Sequence, residues 1–227
     1  MRRDFVANVS HEMRTPITVL MGFLETVQSL ELKKDQQDQY FEMMMSQAQR
    51  MKSLVEDLLT LANLESNTLP AASAVVKLET VMALLRNDAE ALSQGKHALN
   101  FEVNSQCNLL GDEREILSAF SNLVSNAIRY TPDVGSISVN WSVNEQGQGE
   151  FSVTDSGPGI ASEHLSRLTE RFYRVDRSRS RDTGGTGLGL AIVKHIANRH
   201  QAQLVIESTP GRGSKFMLRF PKERVAC

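Results

Sequence analysis

The sequence predicts a multidomain chain: an all-α helical hairpin that forms a dimeric four-helix bundle, followed by an α+β two-layer sandwich. Three observations predict it. Apolar residues recur at three- and four-residue spacing as far as Glu65. Ser66-Asn67-Thr68-Leu69-Pro70-Ala71-Ala72-Ser73 then interrupts that pattern. Beyond Ala74, short β-branched runs alternate with helical stretches and glycine turns. The expected boundaries are 1–66 for the hairpin, 67–73 for a linker, 74–222 for the sandwich and 223–227 for a C-terminal tail.

The first helix is expected from residue 4 to about 30, with Val6, Val9, Met13, Ile17, Leu20, Leu24 and Val27 on one stripe. Pro16 has no N–H for the carbonyl of Glu12, so a bend is expected there. A polar stretch, 31–35, leads to a second helix whose Tyr40, Met44, Gln47, Met51, Leu54, Leu58 and Leu61 form a heptad seam. Two helices cannot cover both seams alone. The simplest cover is a second copy. The Met43-Met44-Met45 cluster reads as core filling.

In the second part, Val75–Leu78 reads as a strand, Glu79–Ser93 as a helix ending at Gly95, and Leu99–Val103 and Cys107–Leu110 as strands. Asp112 and Glu115 make a capping-box-like start to a helix that runs through Arg129. Strands Ile137–Val143 and Phe151–Thr154 flank the Gly147-Gln148-Gly149 turn. A helix from about Leu188 to His200 leads into Gln203–Glu207, and Lys215–Phe220 closes the sheet.

Composition narrows the class. The 227 residues are 41% hydrophobic and 23% charged, with a net charge of -2, so nothing marks a nucleic-acid binder. Cys107 and Cys227 are far apart and form no CxxC, which is compatible with a reducing compartment; Cys227 reads as incidental. No apolar run reaches membrane-span length and no signal-peptide core follows Met1. The abrupt amphipathic start leads us to expect an upstream portion.

Within Ser10-His11-Glu12-Met13-Arg14-Thr15-Pro16, His11 lies off the apolar stripe and is expected to face solvent. An exposed imidazole can act as a nucleophile near neutral pH. Glu12 can orient the ring or take its proton, and Thr15 stands one turn further on the same face. A solvated histidine on a kinked helix is the plainer reading. The sandwich decides against it, because it carries a nucleotide site in need of a phosphoryl acceptor.

Asn122 and Asn126, spaced i, i+4, leave one helix face, where a carboxamide oxygen can hold a hard cation such as Mg²⁺. Asp155 ends a strand and opens Gly157-Pro158-Gly159, leaving a carboxylate free to accept from an amine. Gly184-Gly185-Thr186-Gly187-Leu188-Gly189-Leu190 runs into a helix, so backbone N–H groups can approach phosphate oxygens. It is neither a Walker loop nor a dinucleotide fingerprint. The stretch between the glycine motifs holds Arg167, Arg171, Arg174, Arg177, Arg179 and Arg181 around Phe172-Tyr173, and reads as a mobile lid. Arg174 is singled out for phosphate. Thr209-Pro210-Gly211-Arg212-Gly213-Ser214 reads equally as a plain hairpin turn or a site element. His97, His164, His195 and His200 lack a paired carboxylate and read as surface or structural residues.

In this order the motifs resemble those of a bacterial two-component sensor histidine kinase over Phe5 to Phe220. SHEMRTP is similar to its phospho-acceptor box, NLVSNAIRYT to its asparagine box, DSGPGI and GGTGLGL to its glycine boxes, and ERFYR to its phenylalanine box. The look is closest to phosphate-regulon sensors. The resemblance implies a dimerisation and phosphotransfer hairpin followed by an ATP-binding sandwich of the histidine-kinase/Hsp90 type. It implies Asn126 as the magnesium ligand, Asp155 on the adenine amine, Gly187 and Gly189 near the phosphates, and Arg129 and Tyr130 flanking the nucleotide. Arg129 stands where lysine is common, which keeps the charge and changes its geometry.

The expected activity is phosphorylation of His11 from Mg·ATP, then transfer to an aspartate on a response-regulator receiver domain. The ExxT pattern implies Thr15 in the reverse hydrolysis. The chain is expected to be a cytoplasmic portion, anchored in the inner membrane only through an upstream segment. A GHKL-type ATPase without phosphotransfer, an inactive scaffold and a predominant phosphatase are the rivals.

Overall fold

The computed structural model describes residues 2–66, 73–175 and 185–227. The linker expected at 67–73 falls almost wholly outside them, as do Arg177, Arg179, Arg181 and Gly184. Helix α1 (Arg2–Ser29) runs on as α-helix through Pro16, and α2 (Lys34–Ser66) returns beside it. Pro16 is buried.

The α2 seam is covered differently from expectation. Leu54, Leu61 and Leu64 join one hydrophobic core with residues of the sandwich of the same chain, and Phe5, Met13 and Leu58 pack against it. A second copy is therefore not required for that face. Val6, Ile17, Met21 and Leu24 on α1, with Phe41, Met45, Val55 and Leu59 on α2, stay exposed. Of the methionine cluster only Met44 is buried.

The sandwich follows. Strand β1 (Ala74–Val76) leads to α3 (Leu78–Ser93), β2 (Ala98–Val103), β3 (Asn108–Gly111) and α4 (Glu113–Tyr130). Next come β4 (Ser136–Val143), β5 (Gly149–Asp155), the short α5 (Ser162–Leu165), α6 (Gly189–Arg199), β6 (Gln203–Thr209) and β7 (Gly213–Phe220). A five-stranded sheet has the order β2-β4-β5-β7-β6, antiparallel except for the parallel pair β2–β4. The connection through β3 and α4 turns the chain back and creates that pair. Helices α3, α4 and α6 pack over the sheet through Leu85, Phe120, Leu123, Ile192 and Ile196, against Val139, Phe151, Val153 and Leu218. Phe120 stacks on Phe151 with ring centroids 3.6 Å apart.

Two expectations about the chain end are corrected. Residues 223–227 are no loose tail: a 3₁₀ turn (Lys222–Arg224) and β8 (Val225–Ala226) complete a second sheet, β1-β3-β8. Antiparallel pairing of Asn108 with Ala226 sets Cys107 opposite Cys227, and the two form a disulfide. Their remoteness in sequence, 120 residues, concealed a neighbourhood set by strand register.

The start of α4 departs from a reciprocal capping box. Asp112 Oδ1 accepts from the N–H groups of Arg114 and Glu115, as an N-cap does. Glu115 does not return the bond. Its carboxylate takes Arg199 Nε at 3.0 Å, while the N–H of Asp112 goes to His200 Nε2 at 3.1 Å. His200 is fully buried and its Nδ1–H donates to the carbonyl of Ile196, so the ring is neutral. Burial pushes its pKa down; the Ile196 bond and Glu115 push it up, and Arg224 and Arg199 push it down.

The sign is definite. Above the unfolded value of about 6.5 neither state carries the extra proton; below it the unfolded chain takes a proton that the folded one excludes. Stability is therefore lost as pH falls from 6.5 toward the lower folded value. Urea midpoints at pH 7.5 and 5.5 are expected to drop in the parent chain and to drop less in His200→Gln.

Candidate functional site

A cavity of about 720 Å³ opens beside the α4–α6 pair. Helix α4 buries Leu123, Ala127 and Ile128 and turns Asn122, Asn126, Arg129 and Tyr130 into the cavity. The glycine loop supplies Gly185, Thr186, Gly187 and Gly189, and the lid segment supplies Tyr173 and Arg174. The sheet and its turns contribute Asp155, Gly159, Ser214 and Phe216.

The glycines are dictated by close approach. Gly187 has φ +72°, and its carbonyl accepts the N–H of Phe172 at 2.8 Å. A Cβ on Gly189 would come within 2.5 Å of Asn122 Oδ1. The first turn of α6 thus lies directly against the asparagine face.

Two of the expected binding residues do not line the cavity. Gly157 sits behind it, and its N–H donates to Asp155 Oδ1 at 2.8 Å, which fixes the carboxylate. Leu188 is buried in the core, and its N–H donates to Thr186 Oγ1 at 3.2 Å. Both position residues that do face the cavity. Burial raises the pKa of Asp155, and the backbone N–H groups of Gly157 and Ser214 hold it down. A buried, hydrogen-bonded carboxylate on an enclosed wall can accept from an amine of a ligand.

Asn122 Nδ2 donates to the carbonyl of Ser118, leaving its Oδ1 to face α6. Asn126 Oδ1 lies 3.5 Å from Arg129 Nη1. Two carboxamide oxygens on one wall are the hard donors that Mg²⁺ takes.

His11, Glu12 and Thr15 lie outside the cavity on α1. His11 is exposed, and Thr15 Oγ1 donates to its carbonyl at 3.3 Å. Glu12 Oε2 faces Arg50 Nη2 at 3.3 Å and Arg174 Nη1 at 3.9 Å. Arg174 therefore touches both the cavity and the residue beside His11. Burial works against its charge, while Tyr130 and Glu12 favour it.

Other contacts dock the hairpin on the sandwich. Arg171 pairs with Glu65 and lies over Phe5, whose ring is 5.9 Å from Phe172. His195 Nε2 is 3.5 Å from Glu65. Three histidines thus have the carboxylates that sequence spacing did not reveal: His195 with Glu65, His164 with Glu163 and His200 with Glu115. The ring nitrogens of His97 meet Ser93 and the carbonyl of Thr131.

Sequence reasoning missed three α2 residues. Arg50 holds Glu12, and Ser53 and Asp57 line the cavity. The signal was present for Asp57, which shares one face with Leu54, Leu61 and Leu64 at spacings of three and four. A carboxylate on an apolar face needs a partner.

Residues 111–224 match the family model of histidine kinase-, DNA gyrase B- and HSP90-like ATPases, and residues 1–67 match the His Kinase A (phospho-acceptor) domain. The chain is 50% identical over 230 residues to the phosphate regulon sensor protein PhoR of Pseudomonas aeruginosa, covering 100% of this chain and 51% of that one. It is 38% identical to the sensor-like histidine kinase SenX3 of Mycolicibacterium smegmatis, covering 97% and 58%. It spans little more than half the length of these curated relatives. The Acinetobacter baumannii histidine kinase AdeS superposes with a TM-score of 0.74 at 28% identity, over 94% of this chain and 98% of that one. Full-length ShkA in complex with AMPPNP gives a TM-score of 0.70 at 26% identity, over 98% and 46%.

Proposed function

This chain belongs to the histidine kinase family, and from that premise we propose that it phosphorylates His11 from Mg·ATP and passes the phosphoryl group to an aspartate of a response-regulator receiver domain. The observation that carries the reading is Arg174, which lines the cavity and pairs with Glu12 next to the acceptor. One guanidinium thus links the ligand cavity to the acceptor helix.

Asp155 accepts the adenine amine, and Asn122 and Asn126 offer the oxygens for Mg²⁺, with Asn126 the direct ligand. The cation, when bound, neutralises phosphate charge. Gly185, Gly187 and Gly189 bring backbone N–H groups and the α6 N-terminus to the phosphates. An imidazole nitrogen of His11 forms a bond to the γ-phosphorus as the bond to the bridging oxygen breaks. ADP leaves with that electron pair, and Glu12 takes the ring proton. Arg174 stabilises the charge that develops. His11 is exposed, so a receiver domain can reach it for the second transfer.

The exposed apolar residues of α1 and α2 supply the surface for a homodimer through residues 1–66. No helix among the described residues is long and apolar enough to cross a membrane. Sensing and the inner-membrane anchor belong to sequence outside this stretch.

Labelling with γ-labelled ATP and Mg²⁺ tests the reading: acid-labile, alkali-stable label supports it, and binding without label overturns it. A second activity, hydrolysis of the regulator's aspartyl phosphate, rests on Thr15, whose hydroxyl sits beside His11. Thr15→Ala is expected to slow that hydrolysis on the order of 10–100-fold, with a far smaller change in autophosphorylation. Equal loss of both would remove the role.

A further inference from the structure

We propose that Asp57 is a specificity-determining residue of the nucleotide cavity, a built-in competitor of phosphate through which the docked hairpin disfavours a nucleoside triphosphate relative to the diphosphate. The inference rests on the nucleotide reading above and extends it to a residue of the hairpin.

Four observations converge. Asp57 and Ser53, one helical turn apart on α2, line the same cavity as Asn126, Arg129 and the glycine loop, so the hairpin supplies part of its wall. Asp57 Oδ2 accepts the hydroxyl of Thr186 at 2.6 Å, in the middle of the glycine loop. That hydroxyl also accepts the N–H of Leu188 at 3.2 Å, so the carboxylate is tied through one oxygen to the loop that opens α6. The attraction of Arg129 reaches Asp57 as well.

These are the groups that would meet phosphate: a loop hydroxyl, a guanidinium and a helix N-terminus. The carboxylate is an anion already standing among them. Burial raises its pKa; the Thr186 bond and Arg129 lower it, and neighbouring Glu56 raises it. An added γ-phosphate brings further negative charge to a wall that holds a desolvated carboxylate, and like charges there repel strongly. Adenosine diphosphate places less charge near it. A triphosphate therefore fits best once Asp57 has left Thr186, which frees the hairpin from the loop. The contact couples nucleotide identity to docking.

The experiment is equilibrium binding of Mg²⁺ with ADP or with the non-hydrolysable β,γ-imido analogue of ATP. It compares the 227-residue chain with Asp57→Ala, Asp57→Asn and Glu56→Gln. Glu56 is exposed and pairs with Lys52, so Glu56→Gln removes one adjacent negative charge without touching the cavity. Asn keeps the shape and an acceptor for Thr186 while removing the charge, which guards against a fold defect in the alanine variant.

Asp57→Ala is expected to tighten the triphosphate analogue roughly tenfold, with a smaller gain for ADP. Asp57→Asn moves the same way and Glu56→Gln leaves the ratio in place. Weaker triphosphate binding in both Asp57 variants would make the carboxylate a ligand of the bound cation, and so overturn the proposal. Equal change for both nucleotides, or none, overturns it too. Failure of either nucleotide to bind any of the four chains overturns the nucleotide reading and this inference together.

Discussion

Replacing His11 with Gln is expected to abolish acid-labile label from γ-labelled ATP, a loss on the order of 10³-fold or more, because the nucleophile itself is removed. The structure makes this variant clean. His11 is exposed on α1 and is not among the residues that line the cavity. The side chains beside it, Arg50 and Arg174, are engaged with the carboxylate of Glu12. Nucleotide affinity and thermal stability are therefore expected to stay at parent values. Retained binding with lost label identifies the acceptor, and label persisting in the variant would mean that another residue receives the phosphoryl group.

The second large effect belongs to the other end of the reaction. Asp155→Asn is expected to weaken ATP binding roughly a hundredfold, with autophosphorylation falling in step at subsaturating nucleotide. The N–H groups of Gly157 and Ser214 claim an acceptor, so the Asn oxygen stays with them and its amide turns toward the adenine amine. Donor then faces donor in a buried place. The fold should not suffer, because burial already disfavours the charge at this position. Calorimetric titration with ATP, beside a thermal melt, separates the two quantities. Unchanged affinity would remove Asp155 from adenine recognition.

Local features of the chain were legible where a single element carries them. The helices of the hairpin follow from apolar spacing, the start of α4 from Asp112, and the glycine loop from four glycines leading into a helix. Periodicity reveals which face is apolar but not what covers it. Leu54 and Leu61 read as part of a dimer seam, yet the sandwich of the same chain buries them. Likewise a strand's residues do not disclose its partner. The parallel β2–β4 pair, β8 beside β3 and the Cys107–Cys227 link all depend on registers between distant segments. Within the site, each motif named its own residues. Arg50, Ser53 and Asp57 belong to no motif and enter only because the hairpin docks where it does.

Trp141 is the one tryptophan in the chain, and it is fully buried in β4. Its indole N–H donates to the carbonyl of Cys107 at 3.0 Å, which sets the ring beside the disulfide. Four residues further back along the strand, Ile137 faces Asp155 across the ladder, so the cavity wall begins roughly 13 Å away. Tryptophan fluorescence therefore belongs to the sandwich alone. Its emission is expected to be that of an apolar interior, and brightening on reduction of the Cys107–Cys227 link would show that the disulfide quenches it. Tryptophan emission thus follows the sandwich interior around β4, whereas far-ultraviolet circular dichroism follows the helices of both halves.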